Sequence, residues 1–188
     1  MTKTLFGMSD RELWKTFPVI LCKYQESWAE LYQNEKKLLT NVLGKDLMAR
    51  INHCGSTSIP GLVAKPIIDI LLEINSGVSM PTIAEIMKSV GYVCVKCNDS
   101  NAVLLKGYAP SGIERRVFHV HLRYENDCDE LLFRDYLLEH PEAAHKYEQL
   151  KIAAGDRFRF DRTAYSESKT DFVRHITELG KLMAAARR

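Results

Sequence analysis

The chain has 188 residues, of which 46% are hydrophobic and 27% are charged, and its 26 basic and 24 acidic side chains leave a net charge of +2. The nearly balanced charge indicates no nucleic-acid partner, because such proteins carry a large basic surface. No apolar run is long enough for a membrane span or a signal peptide. We therefore expect a cytoplasmic protein without a membrane partner; the sequence leaves the oligomeric state open.

The length predicts a single domain over residues 1–188, with a core at about 18–126 and a helical part at about 127–188. Apolar runs and alternation predict strands at residues 19–24, 48–54, 67–74, 92–96, 102–108 and 114–124. Helical spacing predicts helices at about residues 26–43, 82–90, 127–140, 141–154 and 162–186. This order predicts an α+β (mixed α/β) fold: a mixed β-sheet with helices packed on one face, the other face partly open, and a C-terminal helical extension.

The strand predicted at 114–124 has two chemically different faces, because successive side chains of a strand point to opposite sides. One face is apolar and consists of Phe118, Val120, Leu122 and Tyr124. The other face is basic and consists of Arg115, His119, His121 and Arg123. We expect helices to cover the apolar face and the basic face to line a cleft.

The most informative stretch, residues 53–73, reads HCGSTSIPGLVAKPIIDILLE. The turn formed by Gly55, Ser56 and Thr57 suits phosphate binding, because glycine lets backbone N–H groups approach a phosphate and serine adds a hydroxyl. Asp69 interrupts the apolar strand that follows. Burying an unpaired carboxylate costs on the order of several kcal/mol, so we expect Asp69 to belong to a site, where it could bind Mg²⁺.

Two positions near Asp69 weaken the prediction of a metal site. Glu73 is four residues away, about 13 Å along a strand, and is expected to be a surface acid at the strand end. Leu71 stands between them, where a second metal ligand would be needed. The structural alternative is that Asp69 pairs with Lys65 or an arginine.

The chain has five cysteines, and Cys94 and Cys97 show a CxxC spacing that no second pair completes to a zinc set. This pair ends a predicted strand, whereas redox motifs of the thioredoxin type begin a helix. We therefore expect buried or edge thiols in a reducing compartment.

Several motifs in order resemble the GrpB (UPF0157) family, which is placed in the nucleotidyltransferase superfamily related to polymerase β. They are YQESW at 24–28, GSTSIPGL at 55–62, KPIIDI at 65–70, HVH at 119–121, LFRDYL at 132–137, HPEA at 140–143, and Tyr165 with Lys169. The resemblance spans roughly residues 18 to 180. It implies a nucleotidyltransferase-like mixed β-sheet with the Gly-Ser turn at its active-site edge.

The superfamily pattern places an Asp-x-Asp or Asp-x-Glu strand after the Gly-Ser turn and a third acid on a neighbouring strand. By this resemblance the Gly-Ser turn and Asp69 match, whereas Leu71 replaces the second acid. The third acid is not identified, since the strand expected to carry it has His119 and His121, and Glu114 only at its start. Some relatives are fused to dephospho-coenzyme A kinase, which implies nucleotide or coenzyme A chemistry.

Three functions are compatible with these residues. The first is a nucleotidyltransferase-like enzyme, in which Asp69 is the catalytic residue and a Mg²⁺ ligand. The second is a catalytically degenerate protein that binds a nucleotide or phosphorylated metabolite. The third is a metal-dependent hydrolase built on the His-x-His strand with Asp69 or His53, although His53 and Cys54 are expected to be structural. The candidate substrate or phosphate contacts are Gly55, Ser56, Thr57, Lys65, Arg115, His119, His121, Arg123, Arg134 and Lys169.

Overall fold

The computed structural model describes residues 15–109 and 111–187, together with Gly7, Ser9 and Glu12. Its five-stranded sheet consists of β1 (Met48–Cys54), β2 (Ile68–Ile74), β3 (Val93–Cys97), β4 (Asn101–Ala109) and β5 (Gly112–Tyr124). The strand order is β1-β2-β5-β4-β3, and β2 runs parallel to β5 while the other neighbours are antiparallel. The predicted mixed sheet and fold class are therefore confirmed.

The helices are α1 (Ser27–Leu47), α2 (Met80–Lys88), α3 (Asp129–Glu139), α4 (Pro141–Arg157), α5 (Arg162–Glu167) and α6 (Thr170–Ala186), and a 3₁₀ turn covers Ser56–Ser58. Helices α1 and α2 pack on one face of the sheet. The apolar side chains of that face, including Ile70, Leu72, Val120 and Leu122, are completely buried beneath them. None of the described helices is long and apolar enough to span a membrane.

The C-terminal helices lie over the second face of the sheet, which was expected to be partly open. Phe133 and Leu137 of α3 pack with Tyr147 of α4 and with Ile59 and Leu62, which follow the 3₁₀ turn. This second apolar cluster attaches the helices beside the Gly-Ser turn. The predicted cleft is present, and α3 to α6 form its outer wall.

Three predicted elements were wrong. Residues 19–24 form no strand; Cys22 makes one isolated bridge with Ala64. The helix predicted at 162–186 is broken between α5 and α6 at Ser168 and Lys169, where neither glycine nor proline marks the end. The helix predicted to end at residue 154 continues to Arg157, and Gly155 within it packs against Leu21, which a Cβ atom at residue 155 would approach to 2.9 Å.

The prediction that Glu73 is a surface acid was also wrong, because its side chain is completely buried. Strand β2 is an inner strand, and both of its faces are covered by helices. The Glu73 Oε1 atom accepts hydrogen bonds from Arg50 at 2.7 Å and from the backbone N–H of Asn126 at 3.1 Å. Glu73 therefore links β1 to the turn after β5.

Candidate functional site

A cavity of about 610 Å³ lies between the second face of the sheet and the C-terminal helices. Its volume falls in the range of pockets that bind small molecules and cofactors. The sheet contributes the Gly-Ser turn and the side chains of Asp69, His119 and His121. The helices contribute a facing wall that includes Tyr147, Lys151, Tyr165 and Lys169.

Eight of the candidate residues line this cavity: Gly55, Ser56, Thr57, Lys65, Asp69, His119, His121 and Lys169. Three predicted arginines do not. Arg115 is exposed on β5, and Arg123 pairs with Glu130 at 2.7 Å. Arg134 pairs with its neighbour in the chain and donates to the backbone carbonyl of His53 at 2.7 Å, so it supports β1.

Gly55 brings the turn directly against Asp69. Its φ angle is +68°, and a Cβ atom at this position would lie 2.3 Å from Asp69 Oδ2. The turn is closed by the Ser58 hydroxyl, which donates to the Gly55 carbonyl at 2.6 Å. The left-handed backbone and the close approach both require glycine here.

The hydroxyl of Thr57 points away from a ligand role, because it donates to the carbonyl of Ile67 at 3.0 Å. The same oxygen lies 3.1 Å from His53 Nε2, and the His53 ring stacks on Tyr32. Burial lowers the pKa of His53 to about 4, against the attraction of Asp69. Thr57 and His53 therefore hold the turn in place, as expected for His53.

Asp69 lies between the two histidines of β5. Its Oδ1 atom is 3.6 Å from His119 Nδ1 and 3.6 Å from His121 Nε2. Burial raises the pKa of the Asp69 carboxyl, but the nearby histidines and Lys65 outweigh this effect and leave that pKa below its ordinary value. Burial lowers the pKa of His119 to about 3 despite Asp69. At neutral pH the pair is therefore an ionised aspartate beside a neutral histidine.

Lys151 of α4 was not predicted from the sequence, although its side chain is 2% exposed and lines the cavity. Its Nζ atom donates to Ser56 Oγ at 3.1 Å and to the carbonyl of Val63, and it lies 4.7 Å from the centre of the Tyr147 ring. Lys151 follows Ala143 and Tyr147 at spacings of four on the buried face of α4. This helical phase was the signal that could have found it.

Lys65 and Lys169 lie near the same aromatic ring. Their Nζ atoms are 5.2 Å and 4.2 Å from the centre of the Tyr165 ring. Burial, reinforced by neighbouring positive charges, lowers the pKa of Lys65 to about 7. Burial lowers the pKa of Lys169 to about 8. Burial also lowers the pKa of Lys151 to about 7, and the nearby positive charge of Lys169 contributes to this shift.

The acidic side chains of the cavity lining do not balance these three lysines. Asp69 acts on both Lys65 and Lys169, so one carboxylate is shared between two ammonium groups. The other acids of the lining are engaged elsewhere: Glu130 with Arg123, and Asp129 and Glu178 with Lys181. The cavity is therefore suited to a ligand that carries negative charge.

The donor set around Asp69 does not form a protein-built Mg²⁺ site. Mg²⁺ prefers an octahedron of oxygen atoms, whereas the neighbours of Asp69 are two imidazoles, and Leu71 is completely buried. Among the described residues, no three His, Cys, Asp or Glu side chains are grouped to hold a metal ion. Mg²⁺ at Asp69 stays a prediction, in which the ligand's phosphates and water would complete the coordination.

The family model described as GrpB protein matches residues 18–179. The chain is 38% identical over 162 residues to UPF0157 protein YqkA of Bacillus subtilis, in an alignment that covers 84% of this chain and 46% of the relative. It is 35% identical over 164 residues to UPF0157 protein PA4798 of Pseudomonas aeruginosa, covering 86% of this chain and 66% of the relative. This chain thus spans about half the length of the Bacillus relative and about two thirds of the Pseudomonas relative.

Another relative has nearly the same extent as this chain. The Glutamate-rich protein GrpB of Alkalihalophilus pseudofirmus is 32% identical over 164 residues, covering 84% of this chain and 93% of the relative. The crystal structure of the conserved protein GrpB from Enterococcus faecalis superposes with a TM-score of 0.73 at 26% identity, covering 86% of this chain and 96% of that chain. The sequence matches and the shared fold agree, and the chain belongs to the GrpB family.

Proposed function

We propose that this protein binds a nucleotide or another phosphorylated metabolite in the cavity, with the phosphates among Lys65, Lys151 and Lys169. The observation that carries this proposal is the convergence of three lysines on one cavity, with Lys151 buried and Lys65 and Lys169 half-buried, where Asp69 acts on both Lys65 and Lys169. Buried ammonium groups are costly unless an opposite charge compensates them. A phosphate group would supply that charge and would accept hydrogen bonds from the lysines.

The Gly-Ser turn supports the same placement of the phosphates. Ser56 already contacts Lys151, so a phosphate that meets this lysine also reaches the serine hydroxyl and the backbone at Gly55. The cavity continues past the lysines to Phe133 and Val173, which offer an apolar surface to the remainder of the ligand. A molecule with a phosphorylated end and a less polar end, such as a nucleotide, fits this division.

Nucleotidyl transfer is the second candidate function, and one observation favours it. Asp69 is ionised beside the predicted phosphate position, and an ionised carboxylate can accept the proton of an attacking hydroxyl. The lysines would stabilise the charge that develops on the transferred phosphate and the leaving pyrophosphate. The test is turnover: an Asp69→Asn variant that keeps full turnover of every accepted substrate would exclude this role.

The binding proposal is tested by thermal-shift and calorimetric titrations with ATP, inorganic pyrophosphate and coenzyme A precursors, each with and without Mg²⁺. A ligand at 100 times its Kd stabilises the folded state by about 2.7 kcal/mol, which raises the melting temperature measurably. Lys151→Met should weaken the binding of the best probe about tenfold or more, since a hydrogen bond to a charged group contributes about 1.5–3 kcal/mol. Lys146→Met, an exposed lysine on the same helix, is the matched control.

Two results would overturn the proposal. The first is the absence of stabilisation by every phosphorylated probe. The second is binding that Lys151→Met and Lys146→Met weaken equally, because the contact would then not involve the cavity.

A further inference from the structure

The pairing of β4 with β5 is irregular beside the candidate site, where one residue of β4 faces four residues of β5. Lys106 pairs with Phe118, but the next paired residue, Tyr108, lies opposite Ile113, so the register shifts at Gly107. Gly107 has a φ angle of +90°, and a Cβ atom there would lie 2.0 Å from the carbonyl oxygen of Arg116. Only glycine fits this position, and an irregularity of this kind in the pairing redirects the side chains that follow it.

The register shift at Gly107 decides which face of the sheet Tyr108 occupies. In the unshifted register Tyr108 would lie opposite Arg116, on the face that α1 and α2 cover. In the observed register it lies opposite Ile113, and its ring lies against His119, whose side chain lines the cavity. The register shift and the left-handed backbone at Gly107 therefore place the Tyr108 ring on the cavity face.

On this face Tyr108 contacts His119. The Tyr108 hydroxyl oxygen is 2.7 Å from His119 Nε2, and the two rings stack at 5.8 Å with 27° between their planes. Arg162, from the start of α5, reaches the same hydroxyl with its Nη2 atom at 3.4 Å and places its guanidinium over the Tyr108 ring. The other ring nitrogen of His119, Nδ1, faces Asp69. Four side chains thus form a chain of contacts from a C-terminal helix to Asp69.

The chemistry of Arg162 and Asp69, at the two ends of this series of contacts, decides which atom donates each hydrogen bond. Arginine can only donate, so the Tyr108 oxygen accepts from Arg162, and the tyrosine's hydrogen remains for His119 Nε2. A neutral imidazole that accepts at Nε2 carries its hydrogen at Nδ1, where it points toward Asp69. The opposite tautomer would place the Nδ1 lone pair against the carboxylate, which is repulsive.

We propose that Tyr108 and Arg162 are positioning residues that hold His119 in its Nδ1–H tautomer and thereby keep the Asp69 carboxylate oriented at the cavity. The hydroxyl of Tyr108 is a fixed donor to His119, and Arg162 fixes the rotation of that hydroxyl. Because Arg162 belongs to α5, the position of the C-terminal helices is transmitted to Asp69. The role of Asp69 toward a ligand rests on the proposed function. The Nδ1–H tautomer of His119 does not depend on that function.

The test is the tautomer of His119, read from long-range ¹H–¹⁵N NMR of the imidazole rings in the full chain. The His119 signals are assigned as those lost in His119→Gln. The wild-type protein should show the Nδ1–H tautomer. Tyr108→Phe keeps the ring and removes the hydroxyl, so the ring should shift toward the Nε2–H tautomer. Arg162→Met should give a smaller shift in the same direction.

Tyr124→Phe is the matched control, since the Tyr124 hydroxyl donates to the carbonyl of Val78 and does not contact His119; the tautomer should not change. Thermal melts confirm that each variant is folded. An Nε2–H tautomer in the wild-type protein, or an unchanged tautomer in Tyr108→Phe, would overturn the proposal. Titration with pyrophosphate is run in parallel. A wild-type chain that binds no pyrophosphate yet shows the expected tautomers would count against the phosphate site and support the positioning role.

Discussion

Gly55 and Asp69 are in direct contact: the face of Gly55 that would carry a Cβ atom lies against the Asp69 carboxylate, 2.3 Å from Oδ2 to the ideal Cβ position. The two residues come from separate elements, the turn after β1 and the first half of β2. Their contact joins the predicted phosphate turn to the ionised carboxylate. A side chain at residue 55 cannot be added without moving Asp69 or the turn.

We therefore expect Gly55→Ala to lower the free energy of unfolding by about 2–4 kcal/mol, the sum of a left-handed alanine and a core clash. Urea denaturation measures this change. Gly61→Ala is the matched control, because Gly61 has a φ angle of +80° but open space around its Cβ position. Gly61→Ala should therefore lose only the free energy of placing alanine in a left-handed backbone, without a steric clash. Equal losses in the two variants would show that the contact with Asp69 is not tight.

The lysines predict how ligand affinity depends on pH. In the free protein the pKa is about 7 for Lys65 and Lys151 and about 8 for Lys169. A phosphate prefers protonated lysines, so binding is strongest below these values and weakens as the lysines lose their protons. Affinity for metal-free ATP should fall about tenfold or more between about pH 7.5 and pH 9.5, measured by calorimetry at constant ionic strength. A flat profile over this range would contradict the lowered pKa values.

The same groups predict that the ligand-free protein becomes more stable as pH rises. In the unfolded chain the pKa of Lys151 is about 10.4, and in the folded chain it is about 7. Between these values the unfolded state binds more protons, so the free energy of unfolding increases with pH. The stability contributed by the neutral lysine is complete above the unfolded pKa and lost as pH falls through the folded pKa.

Urea denaturation from about pH 7 to about pH 8.5 measures this slope. Lys151→Met should reduce it by up to about 1.4 kcal/mol per pH unit, the value for one proton. Lys146→Met should keep the wild-type slope. Identical slopes in the two variants would show that Lys151 keeps an ordinary pKa in the folded protein.

The part of the site that is contiguous in the chain could be predicted from the sequence. The Gly-Ser turn and Asp69 lie within fifteen residues of each other, and β5 places His119 and His121 on one face by simple alternation. The fold class followed from the order of helices and strands along the chain, whereas the order of the strands within the sheet was not predicted. These features depend on local periodicity, which a single sequence displays.

The remaining features depend on tertiary packing or on irregular backbone. Lys151 reaches Ser56 only because α4 docks over the second face of the sheet. Tyr108 lies on the cavity face only because the pairing of β4 with β5 shifts at Gly107 and β4 loses its alternation there. Arg123 shares the face of His119 and His121, yet Glu130 of α3 pairs with it, and no periodicity within β5 could show that.

The last prediction concerns Glu73, whose buried position outside the cavity indicates a structural role and not a functional one. Its side chain is completely buried and accepts hydrogen bonds from Arg50 and from the backbone of Asn126, and it does not line the cavity. Glu73→Ala removes both bonds and leaves a void, so the free energy of unfolding should fall by about 2–4 kcal/mol. Glu73→Gln, which keeps the volume and loses the charge, should cost less.

Glu114→Ala on exposed β5 is the matched control and should change stability by no more than about 0.5 kcal/mol. Urea denaturation measures all three variants, and ATP titration of the folded variants measures binding. If Glu73 is structural, Glu73→Gln should lower the free energy of unfolding while ATP affinity stays within about twofold of wild type. A twofold change corresponds to only about 0.4 kcal/mol of binding free energy. A large loss of ATP affinity in stably folded Glu73→Gln would contradict the purely structural role.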